Sequence, residues 1–166
     1  MDVVNAFIGI IQLIIAILFA VVALYIGFSV FGRITKGIEE EKEIQKGNVA
    51  IGILMASVFI GIAIVVQSGV AGLSTGIATA LNVGIFTLAG IAAILAAIIQ
   101  LVLGIALAVG AIYLALNILD RLTSGVNEFQ ELKKGNVAVA LEMAGVIIAT
   151  SVIIQSGIIG ITAALI

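Results

Sequence analysis

Glu142 has the clearest chemical potential in this chain, because it is a carboxylate inside an apolar stretch that opens at Val137. Ionised side chains at the centre of a membrane helix are disfavoured by about 3 kcal/mol, so a carboxylate there is a candidate for binding a cation or carrying a proton. Glu142 stands roughly 9 Å along a helix from Asn136, at the shoulder of the span. There a structural role is equally open: a shallow Glu that reaches headgroup water or pairs with Lys133, Lys134 or Arg121. Asn48, Asn136, Gln12, Gln67, Gln100 and Gln155 are the other polar groups that could line a path. The chain has no His and no Cys, so imidazole and thiol catalysis are excluded. Zinc, haem and iron–sulfur centres lose their usual ligands for the same reason. No glycine-rich phosphate loop, catalytic triad or paired acidic metal site occurs. General acid–base chemistry would rest on Glu142 or loop carboxylates without organised partners, which points to a non-enzymatic protein with no cofactor and no metal.

The elements that must position these groups follow from composition. Hydrophobic residues make up 63% of the chain and charged residues 10%, with a mean hydropathy of +1.42, outside the range of soluble domains. No Asp, Glu, Lys or Arg lies between Lys46 and Asp120. Stretches of that length exceed the ~20 residues that carry a helix across a bilayer. Lipid-facing barrel strands would alternate apolar and polar residues, and these segments do not. Four spans are expected, at about Val3–Phe31, Val49–Gly69, Ile91–Leu119 and Val137–Gly157, the last running on towards Ile166. The first lacks a basic leader region and a small-residue cleavage pattern, so it reads as a retained helix.

The spans belong to a duplication. Lys46-Gly47-Asn48-Val49-Ala50 returns as Lys134-Gly135-Asn136-Val137-Ala138, an offset of 88 residues (46 to 134). The same offset carries Gln12-Leu13 onto Gln100-Leu101, Tyr25 onto Tyr113, Arg33 onto Arg121 and Gln67-Ser68-Gly69 onto Gln155-Ser156-Gly157. Roughly four in ten positions match, more than shared apolar composition would give. The expected architecture is an all-α membrane protein of four transmembrane helices, arranged as two parallel tandem-repeat helical hairpins. Residues 1–73 form the first two-helix repeat and 91–166 the second, with an uncharged external connection at 74–90. That connection has only Ser74, Thr75, Thr79, Asn82 and Thr87 as polar relief, which suits a re-entrant or surface helix, an extension of span three, or burial by neighbouring subunits.

Every Lys and Arg falls in two loops, Arg33 to Lys46 and Arg121 to Lys134, so the positive-inside rule places both in the cytoplasm and both termini outside. A parallel duplication lacks the inverted topology common in secondary transporters. In the second loop Leu122, Val126, Phe129 and Leu132 recur at helical spacing opposite Glu128, Glu131 and Lys133; Ile34, Ile38 and Ile44 sketch the same pattern in the first. Each loop reads as a helical extension or a short interfacial helix. Gly47 and Gly135 suit a left-handed helix C-terminus, and Asn48 and Asn136 suit N-caps, against the alternative of polar groups at a pore mouth. Gln67-Ser68 and Gln155-Ser156 lie roughly 28 Å beyond the caps, where they mark helix ends or, with Gln12 and Gln100, hydrogen-bond between helices or line an opening. Small residues pair at four-residue spacing at Ala16/Ala20, Ala23/Gly27, Gly52/Ala56, Ala93/Ala97, Gly104/Ala108 and Ala140/Ala144. Such faces let helix backbones approach closely within and between chains.

This layout, with Asn48, Ala50, Ala56 and Gly61 in one copy and Asn136, Ala138, Ala144 and Gly145 in the other, resembles the YjfL-like (DUF350) membrane proteins. The resemblance implies a prokaryotic cytoplasmic-membrane protein and carries no activity. Two functions are expected from the residues. One is a homo-oligomeric structural or scaffold component. Its partners would be membrane lipid, further copies and a peripheral cytoplasmic protein at loops 32–48 and 120–136. The other is an oligomeric ion channel or small-ion conductor using Glu142 and the Gln and Asn side chains. No basic patch suggests nucleic acid.

Overall fold

An uncharged stretch as long as 47–119 leaves the chain no soluble way to satisfy its backbone except within helices, and the computed structural model is helical throughout its regular parts. It describes the backbone of residues 3–35, 38–123, 125 and 127–165, and their side chains except at 3–5, 8, 27, 30, 31, 33, 34, 122 and 161–165. The expectations for Gly27, Arg33, Ile34, Leu122 and Val126 therefore lie outside the described side chains. The described residues form α1 (Val3–Ile34), α2 (Glu40–Gln45), α3 (Val49–Val83), α4 (Leu88–Leu122), α5 (Glu128–Lys133) and α6 (Val137–Leu165). Four of these, α1, α3, α4 and α6, are long and apolar enough to cross a membrane.

The short helices stop for a shared reason. After α2, Gly47 takes φ +78, its N–H donates to the Ile44 carbonyl and the Asn48 N–H reaches back to that of Glu43. After α5, Gly135 takes φ +82 and the equivalent bonds run to Leu132 and Glu131. This is the Schellman closure, which needs a left-handed residue that glycine adopts without strain. The next helix starts at once: Asn48 Oδ1 accepts from the N–H groups of Ala50 (3.1 Å) and Ile51 (3.3 Å), and Asn136 Oδ1 from those of Ala138 (3.1 Å) and Val139 (3.4 Å).

α3 is the central helix. It lies beside α6 in the same direction, with Asn48 near Leu132 at one end and Gly61 against Ile147 and Ser151 farther along. It lies antiparallel to α4, where Gly69 meets Leu101 and Gly76 meets Ala97 and Ala93. α4 also packs on α6, with Ile158 against Gly104, while α1 rests mainly on α3. Ile51, Leu54, Val58 and Ile62 of α3 form the core with Met143 and Ile147 of α6, Ile112 and Leu116 of α4, and Leu132 of α5. Small residues set these approaches, as expected where lipid removes the hydrophobic drive between helices.

Gln67-Ser68-Gly69 and Gln155-Ser156-Gly157 do not mark helix ends. α3 continues to Val83, and α6 runs on to Leu165 as its apolar sequence leads one to expect. Ser68 donates back to the Val65 carbonyl at 2.8 Å, which leaves the helix intact, and Gly69 serves close packing instead of termination. The uncharged stretch 74–90 consists of the last turns of α3, a turn at Gly84–Thr87 and the first residues of α4. Thr87 caps α4, its hydroxyl oxygen accepting from the Gly90 N–H at 3.1 Å.

Candidate functional site

The charged ends of the helices bring together groups from three elements. Asp120 comes from the last turn of α4, Glu128 from the first turn of α5 and Glu142 from the second turn of α6. Glu128 is the unexpected member: helical spacing puts it on the polar face of its loop, yet it is only 2% exposed. Thr123, just past the end of α4, donates a hydrogen bond to Glu128 Oε1. Among the described residues its buried Oε2 has no hydrogen-bond partner. Burial is the first cause that raises the Glu128 pKa; its own backbone N–H lowers it, and the Asp120 carboxylate and then Glu142 raise it further. A proton on Oε2 would turn that orphan acceptor into a donor toward Asp120, which relieves both the burial and the like-charge repulsion.

Asp120 opens onto a polar recess of about 260 Å³ lined also by Thr35, Asn127, Gln130 and Lys133. Glu142 is exposed on the outer face of α6, and neither Arg121, Lys133 nor Lys134 forms an ion pair with it. Lys134 pairs instead with Glu131 at 2.6 Å, and Lys46 with Glu43 at 2.7 Å. Among the described residues no group of three or more Asp or Glu could hold a metal ion. Asp120 and Glu142 both lie close enough to Glu128 for their charges to disfavour its ionisation.

The remaining polar residues divide between the two ends. Asn48 and Asn136 are half-buried at the charged end. Asn48 also links the copies: its Nδ2 donates to the Leu132 carbonyl at 2.9 Å and to Glu43 Oε2 at 3.1 Å. Asn136 Nδ2 donates to Glu131 Oε2 at 2.9 Å. Gln12, Gln67, Gln100 and Gln155 lie in the half away from the charged loops and do not converge with Glu142. Gln67 borders a cavity of about 310 Å³ between α1 and α3, and Gln100 one of about 350 Å³ between α4 and α6, both otherwise apolar. Of the small residues, Gly104, Ala108, Ala140 and Ala144 are buried between helices, whereas Gly52 is half-exposed and Ala56 exposed.

The Thr123–Glu128 contact escapes a reading by charge pattern, but the repeat carries a signal for it. Thr35 and Glu40 stand 88 positions earlier, and Thr35 donates to Glu40 Oε1 in the same way.

The sequence profile described as Domain of Unknown Function (DUF350) matches residues 4–103 and again residues 93–166. The chain belongs to the DUF350 family. This DUF350 protein is a multi-pass helical membrane protein, since its four apolar helices lie within the matched segments. No curated protein and no solved structure matches it.

Proposed function

We propose that this DUF350 protein is a non-enzymatic membrane protein that assembles with further copies into a small-cation conductor. Its two hairpins, 1–73 and 91–166, would cross the membrane in the same sense, with the charged loops cytoplasmic and the termini outside. The observation that supports conduction is the buried, unpartnered oxygen of Glu128 beside Asp120, with Glu142 adding negative potential from a membrane helix. Carboxylates repeated around an assembly attract cations and reject anions. Glu142 faces outward from a single chain, so it can line a path only between chains. The outer Gln residues would supply polar contacts farther along.

The test is cation flux into liposomes holding the purified protein. Glu142→Gln and Glu128→Gln are expected to lower cation over anion selectivity several-fold; unchanged flux in both variants would count against conduction. A scaffold role is the second reading. It is favoured by the bare apolar face of α1, of which only 6% is buried over Gly9–Ile26. Stable assemblies that pass no ion would make it the better account.

A further inference from the structure

The two copies of the repeat carry the same residues but not the same neighbours. Gly69 and Gly72 of α3 lie under α4: a Cβ on Gly69 would sit 2.1 Å from Leu101 Cδ1, and one on Gly72 would sit 3.3 Å from Gln100 Nε2. Their counterparts on α6, Gly157 and Gly160, have nothing among the described residues within 4 Å of an added Cβ. The covering residues show the complementary difference. Gln100-Leu101 recurs as Gln12-Leu13, and Leu101 is 1% exposed where Leu13 is 60% exposed. The chain thus has an uncovered glycine face on α6 and, on α1, an unused copy of the side chains that cover such a face.

The charged end repeats this asymmetry in the same direction. Asn48 of the first copy bonds the Leu132 carbonyl of the second, and Leu132 is fully buried. Ile44, the counterpart of Leu132, is 44% exposed. Asn136, the counterpart of Asn48, bonds within its own copy to Glu131. Between the two ends, Leu54, Gly61 and Ser68 of α3 are buried while their counterparts Glu142, Ala149 and Ser156 on α6 are exposed. A two-fold pairing of the copies would bury both faces together. A head-to-tail contact buries one and leaves its twin open.

We propose that a second copy of this chain covers the open face of α6. Its Gln12-Leu13 seats on Gly157 and Gly160, and its Ile44 carbonyl accepts from Asn136 Nδ2. The contact continues the one already made inside the chain, with identical residues at Gly69/Gly157, Gly72/Gly160, Gln100/Gln12 and Leu101/Leu13. Small-residue faces of this kind are what membrane helices use to associate. Repetition of the contact yields a closed ring or an open filament. It also sets Glu142, the counterpart of Leu54, at every junction between chains. The proposal rests on the assembly part of the function proposed above and not on conduction.

The chain has no cysteine, so crosslinks can be placed without background. Leu13→Cys and Gly157→Cys are introduced into separate full-length chains with different tags, co-expressed and oxidised in the membrane. The expected result is a disulfide dimer that contains both tags, with none from either variant expressed alone. Dimers of one tag only, or no dimer at all, would overturn the proposal. Gly69→Cys with Leu101→Cys in one chain, which should close internally, controls for folding and oxidation. Independently, Gly157→Ile should shift native mass spectra from multi-chain species to the 16.9 kDa single chain, while Gly110→Ile, with open space around it, should not. An assembly that survives Gly157→Ile would refute the contact. Ion flux is read separately, so a silent assembly would remove conduction and leave this interface standing.

Discussion

Asn48 and Asn136 hold the same position in the same motif, yet their side chains have different partners. Both cap a membrane helix, and loss of either cap costs about 1 kcal/mol. Asn48 also bonds across to the Leu132 carbonyl. In dispersed single chains Asn48→Ala is therefore expected to destabilise by about 2 kcal/mol and Asn136→Ala by about 1 kcal/mol, read from unfolding in mixed micelles. Glu128 supplies a pH signature. Its native pKa is raised above the ordinary 4.5, so the native state holds the proton more tightly than the unfolded chain. Its contribution to stability is greatest below that value and is lost as pH rises through the raised pKa. Glu43 is lowered chiefly by Lys46 and Glu131 chiefly by Asn136, and both act in the opposite sense, losing stability as pH falls below 4.5. Glu128→Gln should abolish the loss on the rising side and leave the acid-side loss, as followed by thermal melts across a pH series.

The long helices owe their packing to glycine where they approach most closely. Gly69 of α3 admits Leu101 of α4, and Gly61 admits Ser151 of α6. Gly69→Leu should drive α3 and α4 apart at a cost of about 3 kcal/mol, the upper range for overpacking. Gly157→Leu on α6 should leave the unfolding of single chains within about 0.5 kcal/mol of the parent, because open space surrounds it. The same repeat position is thus tested in two settings. Helix length has consequences too. α3 and α4 each contain 35 residues. Each therefore runs roughly 52 Å, well beyond a hydrocarbon core of about 30 Å. In a bilayer a helix of that length is expected to tilt or to carry its end beyond the hydrocarbon.

At the level of the assembled protein, membrane orientation is the first quantity to measure. Phe86, at the tip of the α3–α4 turn, is almost wholly exposed, and Gln45 of α2 is exposed at the opposite end. If the charged loops are cytoplasmic, Phe86→Cys should react with a membrane-impermeant thiol reagent in intact cells, and Gln45→Cys only after lysis. The reverse pattern would invert the orientation and move the acidic recess outside.

Helical class, membrane residence and the duplication of sequence motifs were legible in residue order, because hydropathy, charge placement and an 88-residue offset are properties of the chain itself. Helix capping at Asn48 and Asn136 was legible for the same reason, since it acts over three residues. Other features depend on which segments meet in space. Local pattern placed Glu128 outside, whereas in the fold it is buried against Thr123 at the end of α4. Gln67-Ser68-Gly69 looks like a stop signal, but packing by α4 supports the helix through it. The repeat also makes Gly69 and Gly157 equivalent, and folding separates them. A head-to-tail contact between two like units must cover one face and leave its twin bare, and no property of either copy alone says which.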